Sequence, residues 1–273
     1  MKEKNLIIIG ILALLVLYKY IDYQCFYAKE NKVTMTSEKI NNDIKITQIS
    51  DFHSNTLKNM DYFLKKVKEF DPDFLILTGD INDYGVKEKI DKSIAFVEKL
   101  KVFNKKTFYI LGNHEEAGPM LDEFLRRLEE NGVIILRNSD QILEINGNKV
   151  YIFGTEYFGF DYSSFKGKKD YVNIVLAHHS KLIRDNYNGL EDFVFSGHTH
   201  GGQVRFPLLG ALWAPGEGFF PSYDKGVFDY ENFKIYVDSG LGNTKFNLRF
   251  LNRIQFSNIT LKKFNGRTKV SEA

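Results

Sequence analysis

With 273 residues the chain is long enough to bury a full hydrophobic core, and its 37 basic and 35 acidic side chains leave a formal net charge of only +2. So weak a charge, with the lysines scattered along the chain, argues against nucleic acid as a partner. The single cysteine, Cys25, excludes an intramolecular disulfide framework and cannot by itself form a thiolate metal site.

The first segment in chain order has the character of a membrane helix. Leu6 to Leu17 is an unbroken apolar run, with lysines before it and Lys19 between two tyrosines after it. This run is short for a span and typical of a signal peptide, but no small-residue cleavage site follows it. We therefore favour an uncleaved single-pass anchor at residues 1–24 over a removed signal or a buried core helix. Because the lysines are expected to stay inside, the globular part would lie on the extracytoplasmic face of the cell membrane.

Residues 25–43 are predicted to connect this anchor to a domain at 44–265, and residues 266–273 to form a C-terminal tail. Within the domain, apolar residues at helical spacing predict helices over 57–70, 90–100 and 121–128. Short apolar runs predict strands at 44–50, 74–78, 108–111, 172–177 and 193–196. Beyond residue 200 the pattern changes to strands, at 226–230, 233–238 and 254–261. This order predicts an α/β layered domain with mixed sheets.

Five of these predicted strands are followed at once by residues that bind metals. They are Asp51 and His53, Asp80, Asn113 and His114, His178, and His198 and His200. Ligands gather outside the carboxyl ends of strands in open α/β sheets, so these side chains are expected to share one site. Oxygen and nitrogen donors without thiolate suit Mn, Fe, Zn or Co. His179 is not expected to bind together with His178, because adjacent strand residues point to opposite faces.

Four short motifs, in this order, resemble those of the calcineurin-like metallophosphoesterase family. The match is to D-x-H at Asp51-Phe52-His53, G-D-x-x-D from Gly79 to Asp83, G-N-H-[DE] at Gly112-Asn113-His114-Glu115, and G-H-x-H at Gly197-His198-Thr199-His200. The resemblance runs from about residue 44 to 261, and residues 197–223 are more narrowly similar to the membrane-associated bacterial subgroup related to YkuE and YaeI. It implies a four-layer αββα sandwich of two mixed β-sheets flanked by helices, here preceded by one N-terminal transmembrane helix.

The resemblance also implies roles for the strand-end residues. Asp51, His53, Asp80 and His200 would hold one divalent ion, and Asp80, Asn113, His178 and His198 the other. A hydroxide bridging the two ions would attack a phosphodiester or phosphomonoester, and His114 would be the acid that protonates the leaving group. The alternative is a non-catalytic metal-binding interaction module on the same fold.

Other residues leave alternatives open. Asp83 is either an orienter of a site residue or a solvated loop aspartate. For Arg249 and Arg253 we favour surface salt bridges over a phosphate contact. The apolar loop from Leu208 to Phe220 is expected to be a buried flap, with a lipid-facing lip as the alternative that would suit a lipid or nucleotide-linked lipid substrate. The stretch 154–170 departs from the subgroup and leaves the substrate open. We expect a monomer.

Overall fold

Two six-stranded mixed sheets form the frame of the molecule. The structure is a computed structural model that describes residues 2–244 and 247–264, without the side chains of residues 2 and 3. The predicted tail at 266–273 therefore lies outside the described residues. Numbered in chain order, the strands of the first sheet are β1 (Lys29–Ser37), β2 (Ile44–Ile49), β3 (Phe74–Thr78), β4 (Lys106–Ile110), β5 (Val133–Ile135) and β16 (Gln255–Lys263), in the spatial order β1-β16-β2-β3-β4-β5.

The second sheet has the order β14-β15-β9-β8-β7-β6. Its strands are β6 (Ser139–Ile145), β7 (Asn148–Gly154), β8 (Val172–Leu176), β9 (Phe193–Ser196), β14 (Gly226–Tyr230) and β15 (Phe233–Val237). Two small hairpins precede β14: β10 (Arg205–Phe206) with β11 (Gly210–Ala211), and β12 (Trp213–Ala214) with β13 (Gly218–Phe219). Both large sheets combine parallel and antiparallel pairs, as the mixed-sheet prediction requires.

The sheets pack face to face, and helices cover their outer faces. The helices are α1 (Lys2–Phe26), α2 (Met60–Phe70), α3 (Lys87–Leu100), α4 (Asn113–Glu116), α5 (Leu121–Glu130) and α6 (Ser180–Arg184). Side chains such as Ile76 and Phe108 of the first sheet and Ile174 and Phe193 of the second form one core between the sheets. The buried residues of α2, α3 and α5 pack on the outer face of the first sheet.

The predicted fold class is confirmed, with a thin fourth layer. Over the second sheet, the outer core is closed by the short helix α6 together with the irregular segment that carries Tyr162 and Phe165. Burial on both faces explains why β3, β8 and β9 are uninterrupted apolar runs in the sequence. The helix predicted over 57–70 begins only at Met60 and ends at Phe70, where Asp71 takes a left-handed conformation before Pro72.

The apolar N-terminal segment forms a single helix whose last turn joins the domain. An 18-residue window within Lys4–Phe26 has a mean hydropathy of 2.0, so this segment is long and apolar enough to cross a membrane, although a signal sequence satisfies the same criterion. The helix continues past the predicted limit at residue 24, and the backbone carbonyl of Cys25 accepts hydrogen bonds from Asn55 and Asn243. The segment 25–43, predicted as a connection, contains β1, which pairs along its whole length with β16.

Arg253 belongs to this junction. Its guanidinium donates to the backbone carbonyls of Tyr27 and Ala28 at 2.6 Å each and lies 4.4 Å from the ring centre of Tyr23. The expected surface salt bridge at Arg253 is therefore wrong, and its donors are engaged in tying α1 to the last strand.

Candidate metal centre

The predicted metal-binding residues meet at one edge of the two sheets. Asp51 and His53 follow β2, Asp80 follows β3, Asn113 and His114 follow β4, His178 follows β8, and His198 and His200 follow β9. All of them are buried except Asn113 and His114, which are partly exposed. The parallel pairing of β2, β3 and β4, and of β8 and β9, brings these strand ends together.

The donor atoms of the predicted ligands form two groups with the Asp80 carboxylate between them, and a further possible group joins His53, Asp80 and His114. In the first group, His200 Nε2 lies 3.1 Å from His53 Nε2 and 3.6 Å from Asp51 Oδ1. In the second, His178 Nε2 lies 3.2 Å from both His198 Nδ1 and Asp80 Oδ2. The same Asp80 oxygen is 3.5 Å from His53 Nε2, so this carboxylate lies between the two groups.

Asn113 provides an independent test of whether this cluster fits metal ions. Its side-chain oxygen Oδ1 is buried and has no hydrogen-bond partner in the part of the chain that the structure describes. A buried polar oxygen without a partner is costly in a folded protein, and a cation beside it would satisfy it. The amide oxygen, the carboxylates and the imidazoles together form the nitrogen and oxygen donor set expected for a divalent transition metal.

The pKa values within the cluster are also consistent with a site for cations. Burial pulls the pKa of His178 down, but the charges of Asp80 and Asp51 and the hydrogen bonds to Asp80 and to the Thr78 carbonyl together outweigh it and raise the pKa to about 10. Burial and the neighbouring His178 lower the pKa of His198 to about 2. Burial raises the pKa of Asp51, whereas for Asp80 the nearby histidines outweigh burial and hold its pKa well below the ordinary value. Divalent ions would displace such protons, since histidine and carboxylate bind metals in their deprotonated forms.

The backbone around the cluster is shaped to point these side chains inwards. Asp51, His53, Asp80, His198 and His200 all have positive φ angles, between 48° and 70°. Non-glycine residues adopt this left-handed conformation at an energetic cost and concentrate at functional sites.

One glycine of the G-H-x-H motif is required by close packing. A Cβ on Gly197 would lie 1.8 Å from Ser50 Oγ and 2.3 Å from Asp51 Oδ2. Only a residue without a side chain lets β9 approach the Asp51 carboxylate.

His114 lies beside the shared carboxylate and is held by Asp83. Its Nε2 is 4.0 Å from Asp80 Oδ2, and its Nδ1 is 3.0 Å from Asp83 Oδ1. The other Asp83 oxygen pairs with Lys89 at 3.0 Å. Burial would raise the pKa of Asp83, but hydrogen bonds from His114, His53 and Lys89 lower it well below the ordinary value. Of the two interpretations of Asp83, the structure therefore supports the one in which it orients a site residue.

Glu115, to which the sequence analysis gave no role, holds the site loops in place. The Glu115 carboxylate accepts backbone N–H groups of Asp80, Asn82 and Gly112 at 2.8 to 2.9 Å, which ties the loops after β3 and β4 together. Burial and then repulsion by Asp80 raise the pKa of Glu115 to about 7. Glu115 occupies the acidic position of the G-N-H-[DE] motif, and this position was the sequence signal for its role.

Arg249 is fully buried, so the expected surface salt bridge there is wrong. Its guanidinium donates to the carbonyls of Ser239 and Gly242 at 2.7 Å each and lies 3.3 Å from His200 Nδ1. These contacts fix the turn that carries His200, and they leave the guanidinium engaged with backbone rather than free for a phosphate.

A second unassigned group comes from the stretch that departs from the subgroup. Glu116 accepts the backbone N–H groups of Tyr157 and Phe158 at 2.6 and 2.7 Å, which fixes this loop over the site. The Tyr157 ring lies 5.8 Å from that of His178 and 5.5 Å from that of His198. Burial and the charges of Asp80 and Glu116 raise the pKa of Tyr157, so that its phenol keeps its proton beside the His178 and His198 rings.

Among the described residues, His179 is not part of the clustered donor groups, although its ring centroid lies 4.7 Å from that of His198. Its Nε2 contacts Glu217 Oε1 at 3.1 Å, and Glu217 also pairs with Arg184. The loop from Leu208 to Phe220, which we name the apolar lip, begins on the same side of the site. Its large apolar side chains are exposed, including Leu208, Trp213 and Phe219, the last by 78%, whereas Ala211 and Ala214 are buried. The favoured prediction of a buried flap is therefore wrong.

Comparison with known proteins agrees with this geometry. A family model described as calcineurin-like phosphoesterase matches residues 44–202. The Bacillus subtilis metallophosphoesterase YkuE is 29% identical over 81% of this chain and 80% of its own length, and YkoQ of the same organism is 28% identical over 76% and 79%. A metallophosphoesterase of Helicobacter pylori strain J99 is 32% identical over 78% of this chain and 58% of its own. The solved structure of Haemophilus influenzae NAD nucleotidase is similar with a TM-score of 0.51 at 15% identity, over 73% of this chain and 45% of that one, which is a likeness of fold.

Proposed function

The chain belongs to the calcineurin-like phosphoesterase family and is a metal-dependent phosphoric ester hydrolase, and we propose that it is tethered to the cell membrane and hydrolyses a phosphoester lipid there. The family uses two divalent metal ions, and the buried histidine and aspartate clusters fit such a dinuclear site. The observation that carries the proposal is the position of Asp80, whose carboxylate lies between the two donor groups.

In the proposed assignment, each ion has four protein ligands. Asp51, His53, Asp80 and His200 hold the first, and Asp80, Asn113, His178 and His198 the second. Such a pair of ions supplies a water of lowered pKa and a positive environment for the phosphoryl group.

His114 is proposed as the acid. Asp83 accepts a hydrogen bond from the Nδ1–H group of His114. The opposite ring nitrogen, Nε2, then faces the Asp80 carboxylate. A proton on Nε2 is then available to the oxygen of the leaving group as its bond to phosphorus breaks.

The acid role is tested with His114→Ala loaded with Mn. We expect a loss of at least about a hundredfold in kcat on an alkyl phosphoester, because general acid catalysis typically contributes that much or more. Metal content measured on the same protein is expected to match the wild type, since His114 is not among the proposed ligands. Near wild-type turnover of a metal-replete variant would remove His114 from the mechanism, and metal binding without turnover in the wild type would instead support the non-catalytic module.

The lipid part of the proposal is supported by two apolar surfaces that adjoin each other. The exposed side chains of α1 between Leu6 and Tyr18 form one. The other is the apolar lip, which connects to α1 through Phe250: its ring lies 6.3 Å from that of Phe206, beside the lip, and 5.7 Å from that of Tyr20 in α1. An apolar surface that continues from a membrane helix suits contact with a bilayer.

A double substitution of Trp213 and Phe220 by serine tests this orientation in the full chain. We expect kcat/KM on a phospholipid diester in mixed micelles to fall by about tenfold, which is about 1.4 kcal/mol and less than the stabilisation from burying one aromatic side chain. The kcat/KM on a soluble aryl diester should fall much less. Val102→Ser, which changes an exposed apolar residue outside the lip, is the matched control. Equal losses of kcat/KM on both substrates would contradict the lipid contact.

The proposed location of the domain on the extracytoplasmic face is tested separately, by the accessibility of the domain to protease in spheroplasts.

A further inference from the structure

A polar pocket of about 310 Å³ adjoins the candidate metal centre on the His114 side. His53 and Asp83 line it, and Asp83 holds His114 through the 3.0 Å hydrogen bond described above. Asn55 and Thr56 contribute further polar groups, and Phe26, the last residue of α1, also lines it. Because the acid lies on this side, the pocket is placed to receive the leaving group of the reaction.

Two lysines of α3 give the pocket a positive wall. Lys89 and Lys92 are three residues apart and so lie on one face of the helix, and both line the pocket. Lys89 is neutralised by Asp83 at 3.0 Å. The salt bridges among residues 2–244 and 247–264 include Lys89 with Asp83 but none that involves Lys92. An ammonium group without a partner, facing a polar pocket beside a cationic centre, favours an anionic ligand.

The size and polarity of the pocket restrict what it holds. A volume of about 310 Å³ is at the lower end for small-molecule sites. The asparagine, threonine and lysine groups suit a compact polar group rather than an acyl chain, for which the apolar lip offers the better surface.

We propose that the pocket is the leaving-group subsite and that the leaving group of the natural substrate carries a second anionic group, a phosphate or a carboxylate, which contacts Lys92. This inference rests on the proposed phosphoesterase function and makes it more specific: the substrate is a phosphoester whose departing part is compact, polar and negatively charged. Lys92 is then a specificity-determining residue and not a catalytic one.

The test uses two aryl esters that differ in one charge. Methyl phosphate esters of 3-carboxyphenol and 3-carbamoylphenol have nearly the same shape, and the phosphomonoesters of both phenols are run beside them. For Mn-loaded wild-type protein we expect kcat/KM to be about tenfold higher for the carboxylate, which corresponds to about 1.4 kcal/mol. In Lys92→Ala this ratio should fall to near one, and in Lys92→Arg it should be largely retained.

Lys99→Ala is the matched control, because Lys99 is an exposed lysine of the same helix outside the pocket. It should keep the wild-type ratio. A ratio near one in the wild type, or an unchanged ratio in Lys92→Ala, overturns the subsite and leaves the phosphoesterase function standing. A free carboxylate or a free phosphate that inhibits wild type and Lys92→Ala equally also counts against it. Absence of hydrolysis of all four esters by metal-replete wild type counts against the proposed function itself.

Discussion

Asp83→Asn is expected to impair the acid step while sparing the metal ions. In the wild type, Asp83 Oδ1 lies 3.0 Å from His114 Nδ1, and the substitution keeps the shape of the side chain but removes its charge. The asparagine can still accept a hydrogen bond, so His114 keeps its place. The variant loses the negative charge that accepts the hydrogen bond of the His114 Nδ1–H group.

The size of the effect follows from this geometry. Two unit charges about 4 Å apart near a protein surface interact by about 4 kcal/mol. The Asp83 side chain is 29% exposed, and Lys89 opposes its charge from 3.0 Å, so solvent and lysine reduce the interaction to about 1 to 2 kcal/mol. That range corresponds to a fall of about five- to thirtyfold in rate.

The assay compares leaving groups on the Mn-loaded protein. A poor leaving group such as an alkoxide needs the acid, whereas nitrophenolate does not, so the loss of kcat should be concentrated on alkyl esters. Asp91→Asn, which removes an exposed carboxylate of α3 paired with Arg127, serves as control. Equal losses on nitrophenyl and alkyl esters would refute the reasoning, because they would show that Asp83 acts on the metal ions or on folding rather than on His114.

The remaining predictions concern metal, packing and pH. Removing the ions by chelation should lower the Tm, since a ligand at a hundred times its Kd stabilises by about 2.7 kcal/mol; an unchanged Tm after full removal would contradict a buried dinuclear site. Gly197→Ala should reduce both bound metal and stability, by at least about 1 to 3 kcal/mol, because its Cβ would lie 2.3 Å from Asp51 Oδ2; normal metal content by elemental analysis would contradict this. Burial lowers the pKa of Lys225 from 10.5 to about 7, so between these values the unfolded chain holds a proton that the folded chain has released, and stability rises with pH. Lys225→Met should remove this rise in denaturant titrations at pH 7 and 10, and equal slopes would contradict it.

The position of the site was predictable from the sequence because it depends on local order along the chain. Each apolar run that becomes a buried strand ends at a donor, and parallel strands bring their carboxyl ends to the same edge. For this reason Asp51, Asp80 and His198 were expected to meet although they are far apart in sequence.

Features that depend on distant contacts were not predictable in this way. Arg249 looked like an ordinary surface cation, but the chain after Ser239 folds back so that backbone carbonyls of that turn surround the guanidinium. The exposure of the apolar lip was not predicted, because the composition of an apolar segment does not tell whether its side chains are buried or exposed. Tyr157 is held beside the site by the hydrogen bond from its backbone N–H to Glu116. No local sequence pattern predicts this bond.

The last described strand of the chain has a consequence for biosynthesis. β16 lies between β1 and β2, and side chains that meet across it, such as Asn31 and Ser257, are 226 residues apart. The ribosome therefore delivers β1 long before its neighbour, and the first sheet is completed only when Gln255–Lys263 has emerged. A premature stop or a proteolytic cut just before this strand would leave β1 without a partner and β2 as an edge strand open to aggregation.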